Sequence, residues 1–252
     1  MQRTAFLVTV LAFLTLVPVG ARAAESTPAP STGDTTPAPA ATSSGGGGWL
    51  LGGSTVGAGQ NYFLGEFGWP GLNLSLIHGM SEKFDLGGTF SFVYGFEGVP
   101  RIAPGIKLNA ILKLNLVKQA KFSLGLRLNP GFTVYFPTSA EVRTRLFYKP
   151  DKKTMFGIQF PLELLVGIPV ISSLAINIGV SLPMILFIVP EVSFVMPIQP
   201  GFGLEYKVDN SLSLTLDTRY GVSIFIVDKP SSVLSTPTEF SFRAQFGLSY
   251  RF

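Results

Sequence analysis

The chain contains no cysteine and a single histidine, His78, among its 252 residues. The lack of cysteine excludes disulfides, thiolate metal ligands, a cysteine nucleophile and a lipid-modified N-terminal cysteine. Charged residues are also scarce, at 13% of the sequence or about half the usual share, whereas hydrophobic residues make up 46%. This composition is typical of a protein with a very large core or of one embedded in a membrane.

The N-terminal residues predict export. Arg3 supplies a basic n-region, residues 5–19 form an apolar h-region, and Ala21-Arg22-Ala23 matches a small-x-small cleavage site. Residues 1–23 are therefore expected to be a signal peptide, with an uncleaved N-terminal anchor as the alternative. Residues 24–48 are rich in Pro, Ala, Ser and Gly and have no aromatic or large aliphatic residue. They predict a disordered linker that lies in the periplasm after export.

Apolar residues alternate with polar or small ones over most of the chain from about residue 70 onward. The pattern is clear in residues 84–94, 107–116, 122–129, 174–182 and 212–220. A period of two indicates β-strands, since helical spacing would scatter the lysines around the cylinder. The alternation runs for ten to sixteen residues, and one face is almost purely large and apolar. A tilted strand needs about nine to eleven residues to cross a bilayer, so these strands are long enough to span one.

Because lipid offers no partner for unpaired backbone groups, a membrane sheet must close on itself. We therefore expect residues 49–252 to form an all-β domain, a closed antiparallel transmembrane up-and-down β-barrel with ten strands, eight or twelve being possible. The expected strands are 54–64, 69–78, 83–94, 103–117, 121–136, 154–168, 173–188, 191–206, 211–227 and 239–252. Pro161, Pro183 and Pro197 fall within them and predict bulges or early strand ends, because proline lacks a ladder donor.

A helical membrane protein is the main rival interpretation. Residues 162–189 contain one charged residue, Glu163, over a span long enough for a helix. Pro169 and Pro183 interrupt that stretch, however, and residues 174–182 alternate between large and small side chains. Both features favour strands.

Turn lengths and aromatic positions predict the orientation. The turns at 78–84, 117–122, 168–174 and 206–212 are short, as on the periplasmic side of bacterial barrels, and those at 96–104, 137–153 and 228–238 are longer. Two aromatic girdles are expected at the rims. The periplasmic one contains Phe84, Phe122, Tyr206, Tyr250 and Phe252, and the outer one contains Tyr94, Phe96, Phe136, Phe156, Phe194 and Phe240.

The chain ends in a strand pattern with apolar residues at every second position: Phe242, Phe246, Leu248, Tyr250 and Phe252. With this ending, residues 50–252 resemble the small outer-membrane β-barrel proteins of Gram-negative bacteria, whose last strand ends in an aromatic residue. The resemblance implies that these five residues are an assembly signal read by the barrel-assembly machinery. It also implies a location in the cell outer membrane, with the N-terminal tail in the periplasm.

Nothing in the sequence predicts an enzyme or a cofactor. Outer-membrane hydrolases of this build are expected to use histidine-containing sites, and His78 lies at the expected periplasmic end, where an interfacial turn residue is the simpler interpretation. No phosphate loop or metal-ligand cluster is present. The lumenal acids Glu163 and Asp217 have basic neighbours on the same face, which favours charge pairing over acid catalysis.

The inward positions of the expected strands predict a charged lumen, lined by Asp85, Lys107, Lys113, Arg127, Glu163, Glu205, Asp217, Arg219, Arg243 and Arg251. Nearer the outer end the inward residues become apolar, and Ile185, Phe187, Val195 and Phe225 predict an apolar mouth. These features fit a narrow passive channel or a carrier for small solutes, hydrophobic ones included. The alternative is a structural or adhesion barrel whose lumen is sealed by a salt-bridge network, because a narrow barrel is filled by side chains.

The loop at 137–153 has a net charge of +3. Its basic residues are expected to contact lipopolysaccharide phosphates. They are Arg143, Arg145, Lys149, Lys152 and Lys153. The expected partners are thus outer-membrane lipid, lipopolysaccharide and the assembly machinery, with no nucleic acid.

Overall fold

The computed structural model describes residues 49–98, 101–137, 154–189, 192–227 and 238–252. These residues form thirteen strand segments. In chain order they are β1 (Asn61–Trp69), β2 (Gly71–Gly79), β3 (Phe84–Phe96), β4 (Arg101–Lys118), β5 (Ser123–Leu128), β6 (Gly131–Tyr135), β7 (Met155–Gln159), β8 (Leu162–Ile171), β9 (Leu174–Leu182), β10 (Ile185–Val189), β11 (Ser193–Lys207), β12 (Leu212–Val227) and β13 (Thr238–Arg251).

Six of the segments are halves of three longer strands. β5 and β6 both pair with β4, β7 and β8 pair with β6 and β5, and β9 and β10 both pair with β11. The register is the same on both sides of each break. The breaks contain Pro130, Pro161 and Pro183, because proline has no N–H to donate to the ladder. The interruptions expected at Pro161 and Pro183 are thus present, whereas Pro197 stays inside β11.

Counted this way, ten antiparallel strands follow one another around a closed ring. Each strand pairs with the next one along the chain, and β13 returns to β1, where Phe63 lies opposite Tyr250. The backbone N–H of Phe252 donates to the carbonyl of Asn61 at 3.1 Å and extends this closure. The expected fold, a closed antiparallel up-and-down barrel of ten strands, is confirmed.

The two faces of the wall differ sharply in charge. Lys118, the last residue of β4, lies at the rim of the barrel, where a register shift after Asn115 sets it opposite Ser123. Acidic and basic side chains of the strands otherwise occupy inward-facing positions. The outward face exposes large apolar residues, including Phe90, Leu108 and Phe246.

The two ends of the barrel differ in their connections. One end, called here the short-turn end, has turns at 80–83, 119–122, 172–173 and 208–211. The other, called here the long-loop end, includes the connections between β6 and β7 and between β12 and β13.

The first expected strand, 54–64, is wrong. β1 begins only at Asn61, and residues 49–58 run inside the barrel at the short-turn end. The backbone of Val56 bonds to the carboxylate of Asp85 rather than to a neighbouring strand. Gly57 and Gly59 have positive φ angles of 100° and 72°, a conformation open mainly to glycine, and they turn the chain from the lumen into the wall.

Phe96 is a second correction, because it does not belong to the outer girdle. The register between β3 and β4 shifts between Val93 and Gly95. Such a bulge reverses the alternation of side chains that follow it. Phe96 therefore points inward and is fully buried.

Within the described ranges, no helix has the length and apolar character required to cross a membrane.

Candidate functional site

All ten ionisable residues predicted to line the lumen occupy inward-facing positions. Asp85, Lys107, Lys113, Glu163, Glu205, Asp217 and Arg219 are buried, and Arg127, Arg243 and Arg251 are partly buried. Alternation along each strand places them on one side of the wall, and closure of the ring then turns that side inward.

A salt-bridge network crosses the middle of the lumen. Nη2 of Arg243 lies 3.1 Å from Oε1 of Glu163 and 2.7 Å from Oδ2 of Asp217. Arg127 pairs with the other oxygen of Glu163, and Nε of Arg219 lies 3.1 Å from Oδ2 of Asp217. The hydroxyl of Ser181 donates a further bond of 3.0 Å to Glu163.

The network acts as a brace because its members come from opposite sides of the ring. Arg127 lies on β5 and Arg243 on β13, which are five strands apart in a ring of ten. Glu163 joins them, and it is only 1% exposed. A buried carboxylate is stable only when it is paired, so this arrangement holds the charges in place rather than leaving one poised to accept a proton.

Little space remains beside the network. The lumen contains a cavity of about 100 Å³, bordered by polar side chains such as Glu66, Asn73 and Thr89 as well as by Glu163 and Arg243. This volume accommodates a few water molecules. The middle of the barrel is therefore too narrow for a larger solute in this conformation.

Residues 49–58, called here the plug, lie at the short-turn end, and residues 50–56 are buried in the lumen. Lys113 Nζ donates to the carbonyl of Leu50 at 2.7 Å, and Asn115 Nδ2 donates to the carbonyl of Gly53 at 2.7 Å. The plug in turn donates from its backbone: Leu51 N–H to Glu205 at 3.0 Å, and Val56 N–H to both oxygens of Asp85 at 3.1 Å. Three predicted lumen residues thus bind a segment of the same chain.

Apolar packing and close backbone contact add to these bonds. Leu50 and Val56 of the plug pack with the inward-facing Tyr62, Ile77 and Ile111. Gly52 touches the wall so closely that a Cβ there would lie 2.9 Å from the Cα of Gly167. Only a segment without side chains at this point fits so near the strand backbone.

The rim of the short-turn end holds the end of the plug. The hydroxyl of Thr55 donates to the carbonyl of Glu82 at 2.8 Å, and the N–H of Ala58 donates to the Glu82 carboxylate at 3.4 Å. Lys118 Nζ lies 3.1 Å from the same carboxylate. The hydrogen bonds from Lys118 and from the Ala58 N–H hold the pKa of Glu82 below its usual value.

An apolar cluster closes the long-loop end. The four residues of the predicted apolar mouth lie in it together, and five further residues complete it. The cluster, called here the apolar cluster, consists of Val93, Phe96, Ala103, Tyr135, Met155, Ile185, Phe187, Val195 and Phe225. Phe96 packs edge-on against Tyr135 with ring centroids 5.4 Å apart. The four predicted residues are at most 3% exposed, so they form a packed core rather than an open vestibule.

The remaining predicted residues have separate locations. His78 faces outward at the end of β2, where its Nδ1 lies 2.8 Å from Oδ1 of Asn61. The proposed assembly-signal residues on β13 and Phe252 also lie at outward-facing positions. The five basic residues proposed to contact lipopolysaccharide fall outside the described residues. Within the described part of the chain, no three His, Asp or Glu side chains converge to hold a metal ion.

Several lumen residues were missed from the sequence. Glu66 was missed because it falls between the expected strands 54–64 and 69–78, whereas β1 begins at Asn61 and places Glu66 on the inner face. Glu97 follows the bulge in β3, and it lies 3.8 Å from Lys107. The glycine pair in the plug, Gly52-Gly53, was the available signal for a segment in close contact with a wall.

No protein-family model and no curated protein matches this chain. Inside the barrel, the apolar cluster, the salt-bridge network and the plug form three successive barriers, and the outer face of the wall is apolar.

Proposed function

We propose that this chain is an outer-membrane β-barrel that carries small apolar solutes and is closed to water in its resting state. The apolar outer face of the wall supports the membrane location. Thirty-six large apolar side chains of the described residues are exposed, most of them on the outward face of the strands. Soluble monomers rarely expose apolar patches of more than a few hundred Å². A hydrocarbon environment accounts for this surface.

Strand length supports the same proposal. β3, β4, β11, β12 and β13 contain between 13 and 18 residues. About nine to eleven tilted residues are enough to cross the hydrocarbon layer. In this proposal residues 1–23 direct export, the tail at 24–48 lies in the periplasm, and the barrel-assembly machinery inserts the barrel.

A single outward substitution tests the membrane location. Leu164 is exposed on the outward face, halfway along the strand formed by β7 and β8. Leu164→Arg is expected to lower the free energy of unfolding in lipid vesicles by about 2–4 kcal/mol, the cost of an arginine near the bilayer midplane. Val208→Arg, in an exposed turn at the short-turn end, is the matched control and should cost less than about 1 kcal/mol. Equal costs at both positions would contradict a membrane-embedded belt.

Carriage of apolar solutes is favoured over an open aqueous pore by the order of the barriers. An apolar cluster lies at the long-loop end, an ionic network lies below it, and the plug fills the far end. Ions meet two closed polar layers and one apolar layer. An apolar solute meets first a cluster of similar chemistry, which includes Met155, whose unbranched side chain can adapt to a neighbour. No catalytic step is proposed.

Two measurements on the same protein test this function. Refolded protein in planar bilayers should show no discrete conductance steps. In Gram-negative cells, its expression should speed the entry of N-phenyl-1-naphthylamine, an apolar dye that fluoresces in membranes. Phe187→Ala and Phe225→Ala, which hollow the apolar cluster, should change the dye entry rate several-fold. Phe132→Ala, at an exposed outward position, is the control and should leave it unchanged.

A second candidate is a structural or adhesion barrel with a permanently sealed lumen. The buried bridge from Arg127 through Glu163 to Arg243 favours it, because such a brace stiffens a barrel without any transport role. Dye entry equal to that of cells lacking the protein, together with no effect of the two phenylalanine substitutions, would support this candidate and contradict carriage.

A further inference from the structure

Three neighbouring strands carry inward-facing prolines at one level of the wall. Extending the register from the pair Leu162 and Leu182 places Pro161 opposite Pro183. Extending it from the pair Ser181 and Gln199 places Pro183 opposite Pro197. The pairs beyond the breaks, such as Ile185 with Val195, keep the same register. The prolines therefore form a row that runs across the strands.

The row removes backbone donors at the boundary between β9–β10 and β11. Lys207 N–H donates to the carbonyl of Ser173 across this boundary at 2.8 Å. In an antiparallel sheet, every second residue of a strand forms its backbone hydrogen bonds with the same neighbouring strand. Pro197 is an even number of residues from Lys207, so it occupies a position that normally bonds to the same neighbour as Lys207. Pro183 and Pro197 therefore face each other where two residues normally exchange two N–H···O bonds. Neither has an N–H to donate, so this whole rung of the ladder is missing.

The neighbouring boundaries are better preserved. Asn129 N–H donates to the carbonyl of Pro161 at 2.9 Å, and Phe160 N–H donates to the carbonyl of Met184 at 2.9 Å. At the first of these boundaries the Asn129 carbonyl, to which Pro161 has no N–H to donate, accepts a hydrogen bond from Asn109 Nδ2 at 2.9 Å instead. The weakest point of the row is thus the boundary between Pro183 and Pro197. There the intact rungs on either side are about 13 Å apart, twice the usual spacing.

This weak rung lies at the border between the two chemistries of the lumen. On its long-loop side the next pair is Ile185 and Val195, both members of the apolar cluster. On its other side the next pair is Ser181 and Gln199, which bond to Glu163 and Ser241. An apolar solute that enters the cluster from the long-loop end meets the ionic network directly below this level.

We infer that the Pro183–Pro197 rung is a side portal, through which a small apolar solute passes from the apolar cluster into the surrounding lipid. The inference rests on the proposed carriage function and names its exit. The outward residues around the rung are Leu182, Met184, Met196 and Ile198, all apolar. The two methionines are unbranched and flexible, so they can move aside and re-pack after passage.

A reversible disulfide cross-link tests the portal. Because the chain has no cysteine of its own, only the introduced cysteines can form a disulfide. Leu182→Cys with Ile198→Cys places two cysteines opposite each other, next to the missing rung, at outward positions. The matched control is Ile178→Cys with Phe202→Cys, an outward pair on the same two strands with an intact ladder. Both pairs are non-hydrogen-bonded pairs of the same kind, whose Cα separation suits a disulfide.

Entry of N-phenyl-1-naphthylamine into cells is the readout. Oxidation of the 182–198 pair should slow protein-dependent entry at least tenfold, reduction should restore it, and oxidation of the 178–202 pair should have no effect. Normal entry through the oxidised 182–198 protein would overturn the portal while leaving carriage intact. Absence of protein-dependent entry in the unmodified protein would instead overturn carriage, and the portal with it.

Pro183→Ala with Pro197→Ala gives a second test that needs no cross-link. The two alanines restore both N–H donors and are expected to complete the rung. Dye entry should fall several-fold while the barrel becomes more resistant to unfolding. Faster or unchanged entry in this variant, with the fold intact, would contradict a portal at this rung.

Discussion

Gly53 of the plug lies directly against Gly125 of β5. A Cβ on Gly125 would be 2.4 Å from the carbonyl oxygen of Gly53 and 2.8 Å from its Cα, far inside normal contact distance. Neither atom belongs to a flexible side chain, so neither can move without shifting the plug or the strand.

Gly125→Val is therefore expected to expel the plug from the lumen. Because alternation in β5 is otherwise unaffected, the barrel should still fold. Limited proteolysis of folded protein should cut within residues 49–58 at least tenfold faster than in the unmodified chain. Gly88→Val is the control, since a Cβ there meets nothing nearer than the Asn109 carbonyl oxygen at 3.7 Å. Equal protection of the plug in both variants would show that the contact is not required.

Lys113→Met should loosen the plug in a different way. The substitution removes the bond to the Leu50 carbonyl and takes away the lysine that lies opposite the buried Asp85 in the register of β3 and β4. With Trp69 replaced by Phe, Trp49 emission reports on the plug, and it should shift to longer wavelength as Trp49 becomes solvated. Lys118→Met, which removes an exposed ion pair with Glu82, should leave the emission close to that of the parent. A shift of the same size in both variants would contradict a specific role for Lys113.

Glu163→Gln should be among the most destabilising single changes in the lumen. It removes the charge that holds Arg127 and Arg243 and leaves two buried guanidinium groups poorly paired. Breaking a buried ion pair of this kind costs about 3–5 kcal/mol. Urea unfolding in lipid vesicles measures the loss. Glu82→Gln breaks an exposed pair instead and should cost less than about 1 kcal/mol. Similar losses for the two variants would mean that the network adds little stability.

Acid should release the C-terminal end of the plug, at Ala58, before the barrel unfolds. The pKa of Glu82 is held below its usual value of 4.5 by Lys118 and the Ala58 N–H. A lowered pKa means that the stabilisation is present above the unfolded value and is lost as the pH falls through the folded one. The hydrogen-exchange protection factor of the Ala58 amide should therefore fall between pH 6 and about pH 3. Glu82→Gln should show no such fall, and an equal fall in this variant would assign the effect to another group.

The strands were predictable wherever a period of two ran uninterrupted. The segment from Leu212 to Tyr220 alternates without a break, and β12 begins at Leu212 and contains it. The expected strand at 54–64 was wrong at its start, because the backbone of Val56 bonds to the buried carboxylate of Asp85 instead of to a neighbouring strand. Phe96 was misplaced because a bulge is set by the fit between two strands. Local alternation contains no information about that fit.

The lumen was predictable in composition and unpredictable in its pairing. The alternation of side chains along each strand was enough to place Arg127, Glu163 and Arg243 on the inner face. Which of them meet depends on how far apart their strands lie around the ring and on the stagger between strands. The row formed by Pro161, Pro183 and Pro197 was hidden for the same reason, since these residues become neighbours only when the register of two strand pairs is known.

The brace across the lumen also limits how this sequence can change over time. Arg127, Glu163, Asp217, Arg219 and Arg243 share oxygens and nitrogens, so altering one charge leaves another unsatisfied. In related sequences these positions should therefore vary together, in compensating pairs. Outward residues such as Leu108 and Phe246 touch no such partner and should drift independently among apolar types. Sequence conservation in this barrel should thus be strictest on the inner face of the wall.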